Sequence, residues 1–322
     1  MDKVNKLGVA VIGVGFWGKN HVRVFSELRE TQLVAVCDKD YERAKTIAGQ
    51  YGAEVYSDSR RLLKRKDIEA VSICTWTTTH AAEAMKALRA GKDVLVEKPI
   101  ASTIREARKI VDYAEKKNRR LMVGFIERFN PGVQRAKDAL RKGEIGELVS
   151  ATARRVSQWP ERIGDVGVVK DYAIHEIDIM REVFKEDPAT IYAKVGNLRH
   201  TRFEDYAQIM LTFKQGKTAF IEANWLTPDK IRRLTLTGSD ATLSLDYLTQ
   251  EIVIESSSKT LKPRYEWKEP LKLELQHFIK CMLRDTTPEV TGVDGLNALV
   301  IAEAALQSSQ KGRAVKLRFD KN

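Results

Sequence analysis

Residues 13–18 read Gly-Val-Gly-Phe-Trp-Gly, and no other stretch of this chain narrows its fold as much. An apolar run of strand length, Leu7-Gly8-Val9-Ala10-Val11-Ile12, comes immediately before it, and a helix-like segment from Lys19 to Glu30 comes immediately after. Strand, glycine-rich turn and helix in direct succession are the opening of a dinucleotide-binding βαβ unit. Gly13 permits the tight turn, Gly15 lets the backbone approach a pyrophosphate, and Gly18 lets the helix pack close to the strand. The helix then presents its first N–H groups to the phosphates. Phe16 and Trp17, inside the loop, join the glycines as cofactor-contact candidates. His21, inside the helix, reads as structural.

The next strand, Gln32 to Val36, ends at Cys37-Asp38. Asp38 follows Gly18 by about 20 residues, the distance at which such folds place an acid on the adenosine ribose. A carboxylate there accepts bonds from a 2′-hydroxyl and repels a 2′-phosphate, which favours NAD over NADP. Lys39 works against that inference, because a lysine can hold a phosphate. Alternation then continues: a helix over 41–51, strands near 54–56 and 69–75, a helix from His80 to Arg89, and the strand Asp93-Val94-Leu95-Val96-Glu97. Thr103 and Glu106 have capping-box spacing at the head of another helix. Strands alternating with helices predict a parallel, doubly wound sheet.

Lys98-Pro99 stops the strand that ends at Glu97. Proline cannot continue a ladder and pushes the preceding residue out of the helical region. Lys98 is therefore held at the carboxyl end of a strand, where open α/β sheets bind ligands. Its ammonium there can bind a ribose, move a proton or polarise an alcohol; an ordinary surface strand end is the plain alternative.

After about residue 125 the pattern changes. Asn130-Pro131 opens a helix, and strand-like segments follow with few helices between them: 148–157, 190–197, 207–213, 218–224, 232–237, 241–246 and 251–256. Helices near 272–284 and 293–310 close the chain. The reading is α/β, with an N-terminal Rossmann domain over 1–124 and a C-terminal α+β domain over 125–322 on a largely antiparallel open sheet. Within the second domain, Asp171-Tyr172-Ala173-Ile174-His175-Glu176-Ile177-Asp178 starts a helix running to Phe184. At helical spacing Asp171, His175 and Asp178 share one face. That face is a solvated surface, a metal site, or catalytic. In the catalytic case His175 takes a hydroxyl proton and Asp171 orients its ring. No matching Cys or His cluster elsewhere supports a metal, so none is assigned. Arg154, Arg155 and Arg162 flank Gln158-Trp159-Pro160 just before this helix, and arginine forks suit a diphosphate. Arg154 and Arg155 are adjacent, so in a strand they point to opposite faces and at most one reaches a ligand.

The chain carries a formal net charge of +11. Its basic runs, 64–66 and 116–120, fall where helices end and suit the helix dipole. With no zinc-finger or RNA-recognition motif, the expected partner is a small anionic substrate and not nucleic acid. No apolar run approaches a membrane span and the first residues lack a signal-peptide pattern, which predicts a cytoplasmic protein with no membrane association. Cys37, Cys74 and Cys281 are isolated; Cys37 and Cys74 sit in apolar runs and read as buried thiols.

Together these residues resemble the glucose–fructose oxidoreductase/inositol dehydrogenase family, Gfo/Idh/MocA, over essentially the whole chain. The resemblance rests on Gly13-x-Gly15-x-x-Gly18, Asp38, Thr75…His80, Glu97-Lys98-Pro99 and Asp171-x-x-x-His175-x-x-Asp178. Arg128-Phe129-Asn130-Pro131 and the segment 160–167 resemble the subset acting on nucleotide sugars, notably UDP-N-acetylglucosamine 3-dehydrogenases. The resemblance implies NAD as cofactor, and a homodimer or homotetramer formed through the C-terminal sheet. It implies that Lys98 and His175 hold the reacting hydroxyl with Asp171 in support. It places Thr75, Trp76, His80, Glu97 and Lys98 in the cofactor cleft, and Arg128 with the arginines above on the substrate. Trp76 stands where family members often have proline, so the loop on the nicotinamide side differs. The expected activity is oxidation of the C3 hydroxyl of a UDP-N-acetylamino sugar. A dehydrogenase of an unphosphorylated sugar or inositol, and a non-catalytic dinucleotide-binding regulator, are the alternatives.

Overall fold

The computed structural model describes residues 6–161 and 164–319, which form two compact units. The first runs to Phe125 and takes back Leu271–Leu296; the second holds Ile126–Pro270 and the chain from Asn297 onward.

In the first unit the elements alternate: β1 (Leu7–Ile12), α1 (Gly18–Glu27), β2 (Thr31–Cys37), α2 (Tyr41–Tyr51), β3 (Glu54–Tyr56), α3 (Ser59–Leu62), β4 (Ala70–Ile73), α4 (Thr77–Arg89), β5 (Asp93–Glu97), α5 (Ile104–Lys116) and β6 (Leu121–Gly124). The six strands pair in parallel in the order β3-β2-β1-β4-β5-β6. The order reverses between β1 and β4, and ligands bind outside the carboxyl ends of strands at such a switch point. Strands β1, β4, β5 and β6 are buried along almost their whole length, as a sheet covered on both faces requires. Local signals agree with this topology. Asp40 caps α2 by accepting the Arg43 N–H at 3.0 Å, and Thr103 with Glu106 forms the expected reciprocal capping box on α5.

The second unit contains α6 (Pro131–Arg141), β7 (Leu148–Val156), a π-helical turn (Val169–Ala173) that runs directly into α7 (Ile174–Phe184), then β8 (Thr190–Gly196), β9 (Tyr206–Thr212), β10 (Thr218–Asn224), β11 (Ile231–Gly238), β12 (Ala241–Asp246), β13 (Ile252–Ser256) and β14 (Thr260–Leu261). Helices α8 (Pro270–Arg284) and α9 (Gly292–Lys311) and the short β15 (Val315–Lys316) complete the chain. The nine strands form one sheet, antiparallel throughout except where β7 lies parallel to β10. One face carries alternating small and branched residues, Ala151, Ala153, Ala219, Ile221, Leu234 and Leu236, all buried. The opposite face exposes Val149 and Phe220, each at 50%. Pro131 occupies the first turn of α6, whose cap Asn130 accepts the Gly132 N–H at 3.0 Å.

The division differs from a cut at residue 124 with everything later in the second domain. Residues 271–296 rejoin the first unit because their apolar face has its partners there. Gly292 abuts Leu121 and Val111, Gly295 abuts Val123 and Ile100, and Thr291 bridges Met122. Arg120 donates to the Thr286 carbonyl at 3.1 Å and pairs with Asp285. Such long-range packing leaves no periodicity signal in the segment itself. Of the cysteines, Cys37 is buried and Cys74 only half-buried. Among the described residues, no helix is long and apolar enough to cross a membrane.

Candidate active site

Within the first unit, Gly13 adopts φ +88°, and a Cβ there would stand 2.8 Å from the Cys74 carbonyl. A Cβ on Gly18 would collide with the Gly13 carbonyl oxygen. The turn therefore closes only with glycine at both positions. Helix α1, which it feeds, has no side-chain cap and no acidic residue in its first turn, in contrast to α2 and α5. An uncapped N-terminus behind a glycine cradle fits a bound pyrophosphate. Phe16 is 69% exposed, with the Lys19 ammonium 5.7 Å from its ring centroid.

Asp38 lies just past β2 and is nearly buried. One carboxylate oxygen accepts the Val14 N–H at 2.8 Å; the other accepts the Asp40 N–H at 3.0 Å and an Arg43 guanidinium at 2.7 Å. Burial opposes the charge, but Arg43 and the two N–H groups outweigh it and hold the carboxyl below its ordinary range. Asp38 thus fixes the glycine loop through Val14. Arg43 is a partner that sequence reasoning overlooked, although its place in the first turn of α2 was legible. Lys39 has no such contact with the acid.

Glu97 departs from its expected place on the cofactor surface. It is buried, accepting the Trp17 indole N–H at 2.8 Å and facing His21 Nε2 at 3.1 Å with one oxygen, and accepting the Lys98 N–H at 3.2 Å with the other. Its position ties the loop residue Trp17 to the Lys98 backbone. His21, fully buried, completes the network through Ser72 Oγ at 2.8 Å from Nδ1. Burial disfavours the imidazolium, yet Cys74 and Glu97 raise the His21 pKa well above its ordinary value. Reading His21 as structural is consistent with these contacts; its partnership with Glu97 was not visible at a separation of 76 residues.

His80 also lies inside. Its Nδ1 is 2.8 Å from the Pro99 carbonyl and its Nε2 3.1 Å from the Thr75 carbonyl. It is a positioning residue for the Thr75–Trp76 turn and for Pro99, and its burial removes it from the set of direct cofactor contacts. Thr75 is half-buried and Trp76 is 45% exposed at the head of α4. Lys98 is half-buried, at the end of β5 as expected.

Within the second unit, the helix expected to start at Asp171 begins earlier, and Asp171 and Tyr172 fall in the π-helical turn. The wider turn changes the angular offset between Asp171 and His175 from that of a regular helix, and such turns are frequent at functional sites. Asp171 is half-buried and His175 buried at 7% exposure. Asp178 is not on a solvated face. Arg128 grips it with two bonds, 2.7 and 2.6 Å, and both are buried. The same guanidinium reaches Glu182 at 2.8 Å.

Arg128 is therefore an internal ion-pair residue and not a substrate contact. Arg155 requires the same correction. It is 1% exposed, with Glu176 at 2.7 Å from Nε and Glu127 at 2.5 Å from a terminal nitrogen. Tyr247 donates its hydroxyl to Glu176 at 2.9 Å, and Asn130 donates to Glu127 at 3.1 Å. A buried guanidinium needs such partners, and these carboxylates come from segments that the local pattern near Arg155 does not reveal. Arg154 points to the opposite face, as strand alternation requires, and pairs with Glu222 at 2.8 Å. It lies away from the α7 face. Arg162 lies outside the described residues. Among the described residues no group of three or more His, Cys, Asp or Glu is placed to hold a metal ion.

Comparison with known proteins adds to this geometry. Residues 7–125 match the model of an oxidoreductase family with an NAD-binding Rossmann fold, Gfo/Idh/MocA, and residues 133–244 match the Gfo/Idh/MocA C-terminal domain. Inositol 2-dehydrogenase of Rhizobium meliloti (strain 1021) is 31% identical over 330 residues, covering 95% of this chain and 98% of that protein. D-apiose dehydrogenase of Paraburkholderia graminis is 28% identical, covering 98% of this chain and 91% of that protein. Among solved structures, UDP-N-acetylglucosamine 3-dehydrogenase GnnA from Acidithiobacillus ferrooxidans superposes with a TM-score of 0.87 at 25% identity, covering 95% of this chain and 98% of that one.

Proposed function

This chain belongs to the Gfo/Idh/MocA oxidoreductase family and is an NAD-dependent dehydrogenase of sugars or polyols; we propose that its substrate is a UDP-linked N-acetylamino sugar, oxidised at the C3 hydroxyl. The observation that carries this reading is the likeness to UDP-N-acetylglucosamine 3-dehydrogenase over 95% of the chain. A second reading, oxidation of inositol, is favoured by the inositol 2-dehydrogenase at 31% identity.

Oxidation of a carbinol removes a hydride from carbon and a proton from oxygen. NAD, when bound, accepts the hydride; the glycine loop, the α1 N-terminus and Asp38 are the residues that would hold it. The chain's own side chains handle the proton. The proposal gives His175 the role of acid/base that takes the hydroxyl proton, with Asp171 orienting the ring. Lys98 is the cation that lowers the hydroxyl pKa. Outside the reaction, the half-exposed Val149 and Phe220 on the open sheet face support a homo-oligomer.

The test is steady-state turnover with NAD of UDP-N-acetylglucosamine against myo-inositol, with the keto position of the product read by NMR. Preferential oxidation at C3 of the UDP-sugar is expected. His175→Ala and Lys98→Ala are each expected to lower kcat by about 100-fold or more with NAD affinity held. Preference for myo-inositol moves the substrate to the second reading, and near-normal kcat in His175→Ala removes its acid/base role.

A further inference from the structure

The sheet face beneath the catalytic helix carries more positive charge than its carboxylates neutralise. In the β7–β11 ladder Arg232 stands directly opposite Arg155, so both guanidinium groups rise from the same face. Like charges placed across a ladder repel. Two carboxylates answer them, and both are largely taken. Glu176 gives one oxygen to Arg155 and the other to the Tyr247 hydroxyl. Glu127 gives one oxygen to Arg155 at 2.5 Å and the other to Asn130. Arg232 is left with a single 3.5 Å approach to the Glu127 oxygen that Arg155 already occupies. Its side chain is 27% exposed, too sheltered for full hydration and open enough to meet a ligand.

Lys230 adds a third cation two residues earlier. Among the described residues no carboxylate lies within ion-pair distance of its ammonium. The Arg232 charge, and then partial burial, hold the Lys230 ammonium below its ordinary range. The chain turns a few residues before Lys230. Asn224 Oδ1 accepts the N–H groups of Leu226 and Thr227, each at 3.0 Å, and the Thr227 hydroxyl at 2.9 Å. Arg232 also lies on the side of the reacting helix, since Arg155 on the same sheet face bonds Glu176 of α7. Tyr172, next to Asp171, reaches Ser157 just past β7 with its hydroxyl at 3.1 Å. A sheltered guanidinium with a second cation two residues away, and with its nearest carboxylate shared, is poorly compensated by the fold alone. Such unmatched charge is what a ligand-binding position retains.

We propose that Arg232 and Lys230 form the subsite that binds the anionic oxygens of the substrate, the role that the sequence had suggested for Arg154 and Arg155. This rests on the anionic sugar substrate proposed above: with a UDP-sugar the pair holds the diphosphate. The same chemistry would hold the carboxylate of a sugar acid.

Binding is measured by titration calorimetry on the enzyme saturated with NAD, using UDP and glucuronate as separate probes. Arg232→Gln and Lys230→Gln are compared with Arg233→Gln, whose side chain lies on the opposite sheet face near Asp246. Each of the first two is expected to weaken UDP binding by roughly tenfold, the scale of one lost charge-assisted bond. Arg233→Gln is expected to bind UDP as the wild type does, and the affinity of all three for NAD to be unchanged. For a turned-over substrate the loss should appear in KM and not in kcat. Lys230 is exposed, so its variant keeps the test valid if Arg232→Gln folds poorly. Should glucuronate bind in place of UDP with the same sensitivity to the two variants, the subsite stands and the UDP-sugar reading fails. If neither variant alters the affinity for either probe, or neither probe binds the wild type, the subsite is overturned.

Discussion

Replacing Arg155 by methionine separates the structural account of this residue from a substrate-binding one. Methionine keeps an apolar stem of similar reach and deletes the charge. The change leaves Glu127 and Glu176, both buried, without the guanidinium that lies 2.5 and 2.7 Å from them, and removes a cation held 5.7 Å above the Tyr247 ring. Two lost charge-assisted bonds amount to roughly 3–6 kcal/mol, and breaking a buried ion pair by removing one partner to about 3–5 kcal/mol. Relaxation trims this, since Arg232 is already 3.5 Å from Glu127 and can close on it, and Glu176 can take up a proton. The expected loss is therefore about 3–4 kcal/mol, or roughly 10 °C in the melting temperature of a unit this size.

The loss should depend on pH in a stated direction. Burial raises the folded-state pKa of Glu176 above the ordinary value, with Arg155 opposing the rise. A raised folded-state pKa gives stability that is full below the unfolded value and declines as pH climbs through the folded one. Without Arg155 that rise is larger, so the deficit of the variant should be greater at pH 8 than at pH 5. Urea unfolding of wild type and variant at both pH values measures it. A variant within about 1 kcal/mol of wild type at pH 8, with a raised KM for substrate, would refute the internal role and return Arg155 to the binding site.

Three further outcomes follow from the first unit. Asp38→Ala is expected to weaken NAD by about tenfold and to strengthen NADP, because it frees Arg43 to meet a 2′-phosphate; titration of both cofactors reads it, and a wild-type preference for NADP would contradict the assignment. Gly18→Ala, whose Cβ would collide with the Gly13 carbonyl oxygen, should abolish measurable NAD binding in the same titration, and retention of wild-type affinity would show that the turn can relax. His21→Gln should remove a contribution to stability that is full below about pH 6.5 and lost as pH rises through the raised His21 pKa, so wild type and variant should converge in thermal melts toward high pH; a constant difference across pH would mean that His21 is neutral in the fold.

Much of this architecture is set by short-range pattern. The Gly13–Gly18 turn, the Asp40 and Thr103 caps, Pro99 after β5 and Pro131 at the head of α6 act within a few residues of themselves, so spacing alone places them. The parallel order of the first sheet follows from strands joined by helices, and the hairpin between β9 and β10 from Gln215-Gly216, both at positive φ. Tertiary structure decided where the charged side chains went. Arg128 and Arg155 read as ligand forks because sequence reports their chemistry and not their surroundings; folding brought Asp178, Glu127 and Glu176 to them. Alternation did separate Arg154 from Arg155, but it could not say that one would pair with Glu222 on the open face and the other be buried. The return of residues 271–296 to the first unit, the π-turn under Asp171 and the sharing of Glu127 between Arg155 and Arg232 likewise depend on contacts between distant segments. A residue's type fixes which partners it needs, and only the packed chain fixes which of those partners arrive.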